Sequence, residues 1–363
     1  KYLDLAERAG NWLLEHSFQF GSNSVYWLTV GEEGFTSTDY YYGGAGIVDS
    51  LLKIYSKTKN TTFLDYAVNG ANWIISSKII TNETNKASYF PWTTSNISFF
   101  KDIVYSGQLN GIAGIGKVFL NLYRNTNDIN WLTQSKQLGY WLQSVDFNDT
   151  GLFPNGGAPY ITGLYEGAPN ILGYGSGSLG IAEFYLQLFL EEDTQNVEWL
   201  YEIIRITSSI EQILDSNSNY FLPIQKNTTQ YLIGLQSGIA AVIKVYSQLI
   251  QYFNQTNQLA TLKNLLNSLK TLTNQFKGSL PEDINQELIN NNRENGLAGI
   301  LESLSYVLNL EGRNNGQFSD NYVSALESLP KPKFTYVPSV NSNFYFSILS
   351  MIFLLIVAKK RAN

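Results

Sequence analysis

The 363-residue chain contains no cysteine, which excludes a disulfide framework, thiolate metal sites and a cysteine nucleophile. Histidine is nearly as scarce. His16 is the only one, so multi-histidine zinc sites are excluded and a Ser-His-Asp triad could be built nowhere else. It falls at the end of the first predicted helix, where a capping or surface role is expected. Charge is thin as well: 15% of residues are charged, with 24 basic against 30 acidic side chains and a net charge of −6. Setting aside Lys359, Lys360 and Arg361 leaves 21 against 30, a body poorly suited to nucleic-acid phosphates. No P-loop lysine follows the glycine-rich turns, and neither a cofactor nor a metal is expected.

What the chain does have is a recurring turn. The pattern small-X-X-Gly-Ile occurs as Gly43-Gly-Ala-Gly46-Ile47, Gly111-Ile-Ala-Gly114-Ile115, Gly177-Ser-Leu-Gly180-Ile181, Leu235-Gln-Ser-Gly238-Ile239 and Gly296-Leu-Ala-Gly299-Ile300. The isoleucines are 68, 66, 58 and 61 residues apart, a period that fits one helical hairpin per repeat. Each copy opens a run with apolar spacings of three and four, such as Ile115-Val118-Phe119-Leu122-Tyr123, which marks an amphipathic helix. Second helices are expected at about 62–78, 128–146, 195–215 and 257–276, with residues 2–15 supplying the first and a short piece at 322–329. Five outer–inner pairs result, and no strand-rich domain is expected.

Glycine at the start of every second helix fits an inner ring whose N-terminal ends crowd one axis, where larger side chains would collide. A linear solenoid is the plainer alternative, but its helix starts are not crowded. These glycine turns at this period resemble the lanthionine synthetase C-like group of α/α toroids over residues 1–329. The resemblance implies an all-α fold, an α/α toroid of about five helical hairpins. Those cyclases hold zinc on two cysteines and a histidine; the corresponding segment here reads Leu172-Gly173-Tyr174-Gly175-Ser176-Gly177, so zinc-dependent thioether chemistry is not implied. More broadly the pattern is similar to the α/α-barrel glycoside hydrolases, uronyl hydrolases, polysaccharide lyases and sugar epimerases.

In such a barrel the segments feeding the inner helices surround one mouth of the cavity. Four of them carry acids: Asp39, Asp102, Glu166 and Glu294. Glycoside hydrolysis needs two carboxyls about 5 Å apart for retention or about 6.5–9.5 Å for inversion, and Asp39 with Asp102 is the first candidate pair, Glu166 the reserve. Caps of the following helices are the plainer role for each acid. Aromatic rings gather in the same loops, and Tyr41, Tyr105, Tyr165 and Tyr174, with Glu294, are expected to bind the ligand, because an amphipathic ring stacks on a pyranose face. The functional expectation is recognition of carbohydrate or envelope glycan, with hydrolysis as an added activity. The rival is a non-catalytic surface module docked to another envelope protein.

The C-terminal segment sets the expected location. Residues 344–358 are apolar and run into Lys359-Lys360-Arg361; these fifteen residues rise about 22 Å as a helix, a short span that 339–343 could extend. Residues 343–358 are therefore read as a membrane anchor, 330–342 with Pro330, Pro332 and Pro338 as a linker, and 359–363 as a cytoplasmic tail, leaving 1–329 as the ectodomain outside the cell membrane. A buried core helix is the alternative. The start at Lys1 is consistent with a removed signal peptide. Asn60, Asn82, Asn96, Asn148, Asn227 and Asn254 begin glycosylation triplets in predicted loops, though six is about the number chance gives. The low-charge, Tyr/Asn-rich composition resembles exported proteins of thermoacidophilic archaea.

Overall fold

The structure, a computed structural model, describes residues 2–29, 35–94, 103–146, 151–153, 156–159, 171–192, 197–216, 238–253, 300 and 302–306. All of these fall in the unit Lys1–Leu329. The linker, anchor and tail expected at 330–363 lie outside the described residues, as do the helices expected at 257–276 and 322–329. No helix among the described residues is long and apolar enough to cross a membrane.

The glycine turns open helices at the expected places: α2 (Gly44–Thr58), α4 (Ile112–Thr126), α6 (Ser178–Glu191) and α8 (Ile239–Phe253), with 302–306 also helical. The alternating partners are α1 (Tyr2–Glu15), α3 (Thr61–Ser76), α5 (Ile129–Val145) and α7 (Val197–Asp215). The tightest pairs are α2 with α3, α4 with α5 and α6 with α7, while α2, α4, α6 and α8 also touch one after another. Each hairpin thus runs from an inner helix to the outer helix after it, the helical pairing of an α/α toroid.

Local chemistry makes the first two hairpins sharp. Lys59 (φ 60°) and Asn127 (φ 55°) end α2 and α4 in the left-handed conformation, where their N–H groups reach the carbonyls of Tyr55 and Tyr123. The next residues, Asn60 and Asp128, cap α3 and α5 by accepting from the N–H of Thr62 and of Asn130. Two residues therefore suffice to reverse the chain. The returning outer-to-inner connections are longer and carry three antiparallel ladders: β1 (Phe18–Gln19) with β2 (Val25–Tyr26), β3 (Ile79–Ile80) with β4 (Ser88–Tyr89), and β5 (Ile103–Tyr105) with β6 (Gly156–Pro159). Between the helical layers lies an apolar core that includes the fully buried Phe119, Trp141, Phe184, Tyr185 and Trp199. Tyr185 stacks on Trp199 at 5.6 Å.

The reason for the glycines differs from the expected crowding about an axis. A Cβ on Gly46, Gly114 or Gly180 would lie 2.0, 2.0 or 2.1 Å from the carbonyl oxygen of the residue six before it, namely Tyr40, Gln108 or Tyr174. A Cβ on Gly43, Gly111 or Gly177 would lie 2.3, 2.4 or 2.3 Å from the carbonyl oxygen of Ser37, Tyr105 or Ile171. The feeding loops of α2, α4 and α6 fold back over their own helices and supply carbonyls to the first N–H groups, as in Gly44 N–H to Ser37 O, Ala113 N–H to Ser106 O and Ser178 N–H to Ile171 O. The helix starts are thus capped by backbone, without a side-chain cap. The loops also bond to one another: Tyr41 N–H donates to Leu109 O at 2.9 Å and Leu109 N–H to Gly175 O at 2.7 Å. The result is a collar over the N-terminal ends of the inner helices.

Candidate functional site

A polar cavity of about 240 Å³ lies among the inner helices. Every described inner helix gives it a pair of residues one turn apart, Asp49 and Lys53, Lys117 and Asn121, Glu183 and Gln187, Lys244 and Gln248, Glu302 and Tyr306, and α4 adds Val118 and Arg124. A spacing of four keeps both on one helix face. In four of the five repeats the first of the pair stands two residues past the motif isoleucine; α8 uses Lys244, five past Ile239. From the collar, Tyr40, Gln108 and Tyr174 reach in, each seven residues before an isoleucine.

These side chains stitch successive helices together. Asp49 pairs with Lys53 at 2.7 Å and accepts from Tyr40 Oη at 2.8 Å and Asn121 Nδ2 at 2.8 Å. Glu183, fully buried in α6, accepts from Lys117 Nζ and, at 2.5 Å, from Tyr174 Oη. Its other oxygen takes Gln248 Nε2 at 2.9 Å and faces Lys244 Nζ at 3.3 Å. Lys244 lies 3.4 Å from Glu302 and 4.0 Å over the Tyr174 ring. Arg124 donates to Glu191, Asn121 and Gln187. Burial alone would raise the Glu183 carboxyl, but Lys117 and Lys244 with the hydrogen bonds outweigh it and hold it well below the usual carboxylate range. Asp49 is likewise lowered, burial being outweighed by Lys53, and Lys117 and Lys244 are raised by their carboxylates against their own burial.

These shifts give a signed pH dependence. Asp49 and Glu183 sit below their unfolded values of about 4, so the stability they add is fully present above that pH and is lost as acid protonates them. Urea unfolding is expected to show stability falling below about pH 4, and less steeply in Asp49→Asn. Equal slopes in the two proteins would contradict this.

The cavity opens away from the collar. Exposure climbs along the helices toward their C-terminal ends: the Asp49 side chain is 5% exposed and Lys53 one turn later 68%, while Lys117 is 15% and Arg124 36%. Among the described residues, the segments upstream of the first three glycine motifs lie as collar backbone over the helix starts, and the exposed cavity residues lie toward the opposite end, by the two-residue turns.

Asp39 is accordingly sealed in the collar at 0% exposure and is not part of the cavity lining. It accepts from Tyr42 N–H at 2.7 Å, Asn110 Nδ2 at 3.3 Å and Trp92 Nε1. Burial raises its carboxyl, and these bonds offset that in part. Tyr41 is exposed and packs edge-on against Tyr42, with centroids 4.3 Å apart. Tyr105 meets Trp92 edge-on at 5.9 Å, and neither Tyr41 nor Tyr105 lines the cavity. Tyr174 does line it. Asp102, Tyr165, Glu166 and Glu294 lie outside the described residues, as do Asn96, Asn148, Asn227 and Asn254. Asn60 and Asn82 are exposed, at the α3 cap and in the turn between β3 and β4. His16 is exposed, stacks on Trp12 at 4.1 Å and bonds the Trp12 carbonyl. The cavity charges were legible in principle, as an ionisable residue at a fixed offset inside each otherwise apolar helix.

No protein-family model matches the chain, and no curated protein does. Among solved structures the chain is similar to a sugar epimerase from a ruminal bacterium, over 74% of this chain and 69% of that one, with a TM-score of 0.56 and 13% identity. It is also similar to a D-mannose isomerase, over 90% and 84% with a TM-score of 0.55 and 11% identity. A third similar structure is the cellobiose 2-epimerase of Bacillus thermoamylovorans, over 90% and 86% with a TM-score of 0.51 and 14% identity. At such identities the likeness is one of fold: the helical pairs belong to an α/α barrel.

Proposed function

We propose that this chain is a surface-displayed α/α-barrel protein that recognises carbohydrate, holding a single sugar unit in the cavity among its inner helices. The carrying observation is the lining itself. Each described inner helix presents at least two cavity residues, most of them polar, and the collar adds two tyrosines, an amide and Leu109, the mixture of ring faces and hydrogen-bonding groups that a sugar uses. At about 240 Å³ the cavity is smaller than the ~300–1,000 Å³ of drug-sized sites, which favours one monosaccharide unit over an oligosaccharide. The sugar-processing names of the similar structures agree with this reading.

Binding is the activity we adopt. Asp49 and Glu183 are held as carboxylates by neighbouring lysines, so neither is a proton donor at neutral pH. Asp102 and Glu166 remain the candidates should hydrolysis be found; Asp39, the third residue read from the sequence, is closed off in the collar. Lanthionine chemistry forms no part of the proposal, since the chain has no cysteine. Display outside the cell on an anchor at 343–358 rests on the sequence, and membrane fractionation with and without that segment tests it.

One observation favours the rival structural module: the same polar web joins each inner helix to the next. Isothermal titration with monosaccharides separates the two. The binding reading expects saturable heat with at least one monosaccharide; a folded protein that binds no sugar supports the module.

A further inference from the structure

Every cation lining the described cavity already faces a carboxylate. Lys53 pairs with Asp49, Lys117 with Glu183, Lys244 with Glu183 and Glu302, and Arg124 with Glu191. Four positive groups thus meet four negative ones, and an anion entering the cavity would find no unpaired cation to replace its lost hydration.

A second observation concerns hydrogen-bond polarity. Gln108 and Gln248 line the cavity, and the side-chain oxygen of each, Oε1, is buried and has no hydrogen-bond partner. Gln108 as a whole is 3% exposed. The Gln248 amide is fixed in direction, because its nitrogen donates to Glu183 Oε1 at 2.9 Å and the reversed amide would set two oxygens against each other. A buried carbonyl without a donor is costly, so the ligand that belongs here donates. A carboxylate only accepts, whereas a hydroxyl does both.

Resting on the carbohydrate reading above, we infer that the cavity is built for an uncharged sugar unit whose hydroxyls donate to Gln108 and Gln248, and that it rejects uronates and sugar phosphates. The fold does not decide this, since charge is a property of the lining and not of the barrel.

Calorimetric titration of the full chain with mannose, glucose and galactose, against glucuronate, galacturonate and mannose 6-phosphate, tests it. At least one neutral hexose is expected to bind tenfold or more tighter than every anion, and Gln108→Leu and Gln248→Leu each to weaken it about tenfold at unchanged circular dichroism. Asp49→Asn, which leaves Lys53 without its carboxylate, is expected to narrow the gap by favouring the anions. Anions binding as tightly as the hexoses, or hexose binding unchanged in both glutamine variants, would overturn this inference and leave the carbohydrate reading standing. Binding in neither series would overturn the carbohydrate reading itself.

Discussion

Replacing Glu183 with alanine is expected to destabilise the chain by about 3–5 kcal/mol, on the order of 10 °C in apparent Tm. The single carboxylate neutralises two lysines at once, Lys117 and Lys244, and also takes hydrogen bonds from Tyr174 and Gln248. Its removal leaves Lys117 without its carboxylate and the Lys244 side chain, 3% exposed, with Glu302 alone. A mere loss of side-chain volume would cost less and would not depend on the lysines. The control is therefore the triple variant Glu183→Leu, Lys117→Met, Lys244→Met, which removes all three charges and should recover most of the loss, because apolar replacement of a buried ion cluster is often neutral or better. Thermal unfolding reads both. A single variant within about 1 kcal/mol of the parent would mean that the cluster is open to water.

Gly114→Ala is expected to cost about 3 kcal/mol or more, a large effect for one methyl group. The added carbon would lie 2.0 Å from Gln108 O, with Tyr40 Cβ at 3.1 Å on the other side. A side chain could swing away from such a contact. A carbonyl held in the collar cannot, since the adjoining Leu109 is bonded on one side to Tyr40 and Tyr41 and on the other to Gly175. Gly21→Ala is the comparison. Gly21 has φ +69° and nothing within 4 Å of its added carbon, so it carries only the ordinary left-handed penalty of about 1–2 kcal/mol. Urea unfolding of the two variants should separate close approach from backbone conformation; equal costs would contradict the collar as the source of the glycine pattern.

The helical frame was legible because glycine and apolar spacing report local requirements. The recurring Gly-Ile turn located α2, α4, α6 and α8, and the spacings behind it predicted α3, α5 and α7 to within two residues. Why glycine is needed was not legible, since the carbonyl six residues upstream becomes a neighbour only after the loop folds back. Reading function upstream of the turn led to Asp39, an acid that the collar buries and saturates with donors. The cavity residues sit inside helices instead, where Asp49, Lys117, Glu183 and Glu302 break apolar runs at one offset from the isoleucine. An alternation of acid and base from helix to helix has no local signature: Lys117, Glu183, Lys244 and Glu302 pair across 58 to 66 residues, and only Asp49 has its partner, Lys53, on its own helix. Among the described candidates, Tyr174 was named from its loop and does line the cavity, with Lys117 Nζ 5.5 Å and Lys244 Nζ 4.0 Å from its ring centre.

The most direct test of a sugar-holding cavity is a crystal structure of the chain with the tightest-binding hexose. The account predicts the sugar between the inner helices, its hydroxyls within about 3 Å of Gln108 Oε1 and Gln248 Oε1, entered from the end where Lys53 and Arg124 are exposed. A sugar bound on the collar's outer face beside Tyr41 and Tyr42, with the cavity unchanged, would contradict it.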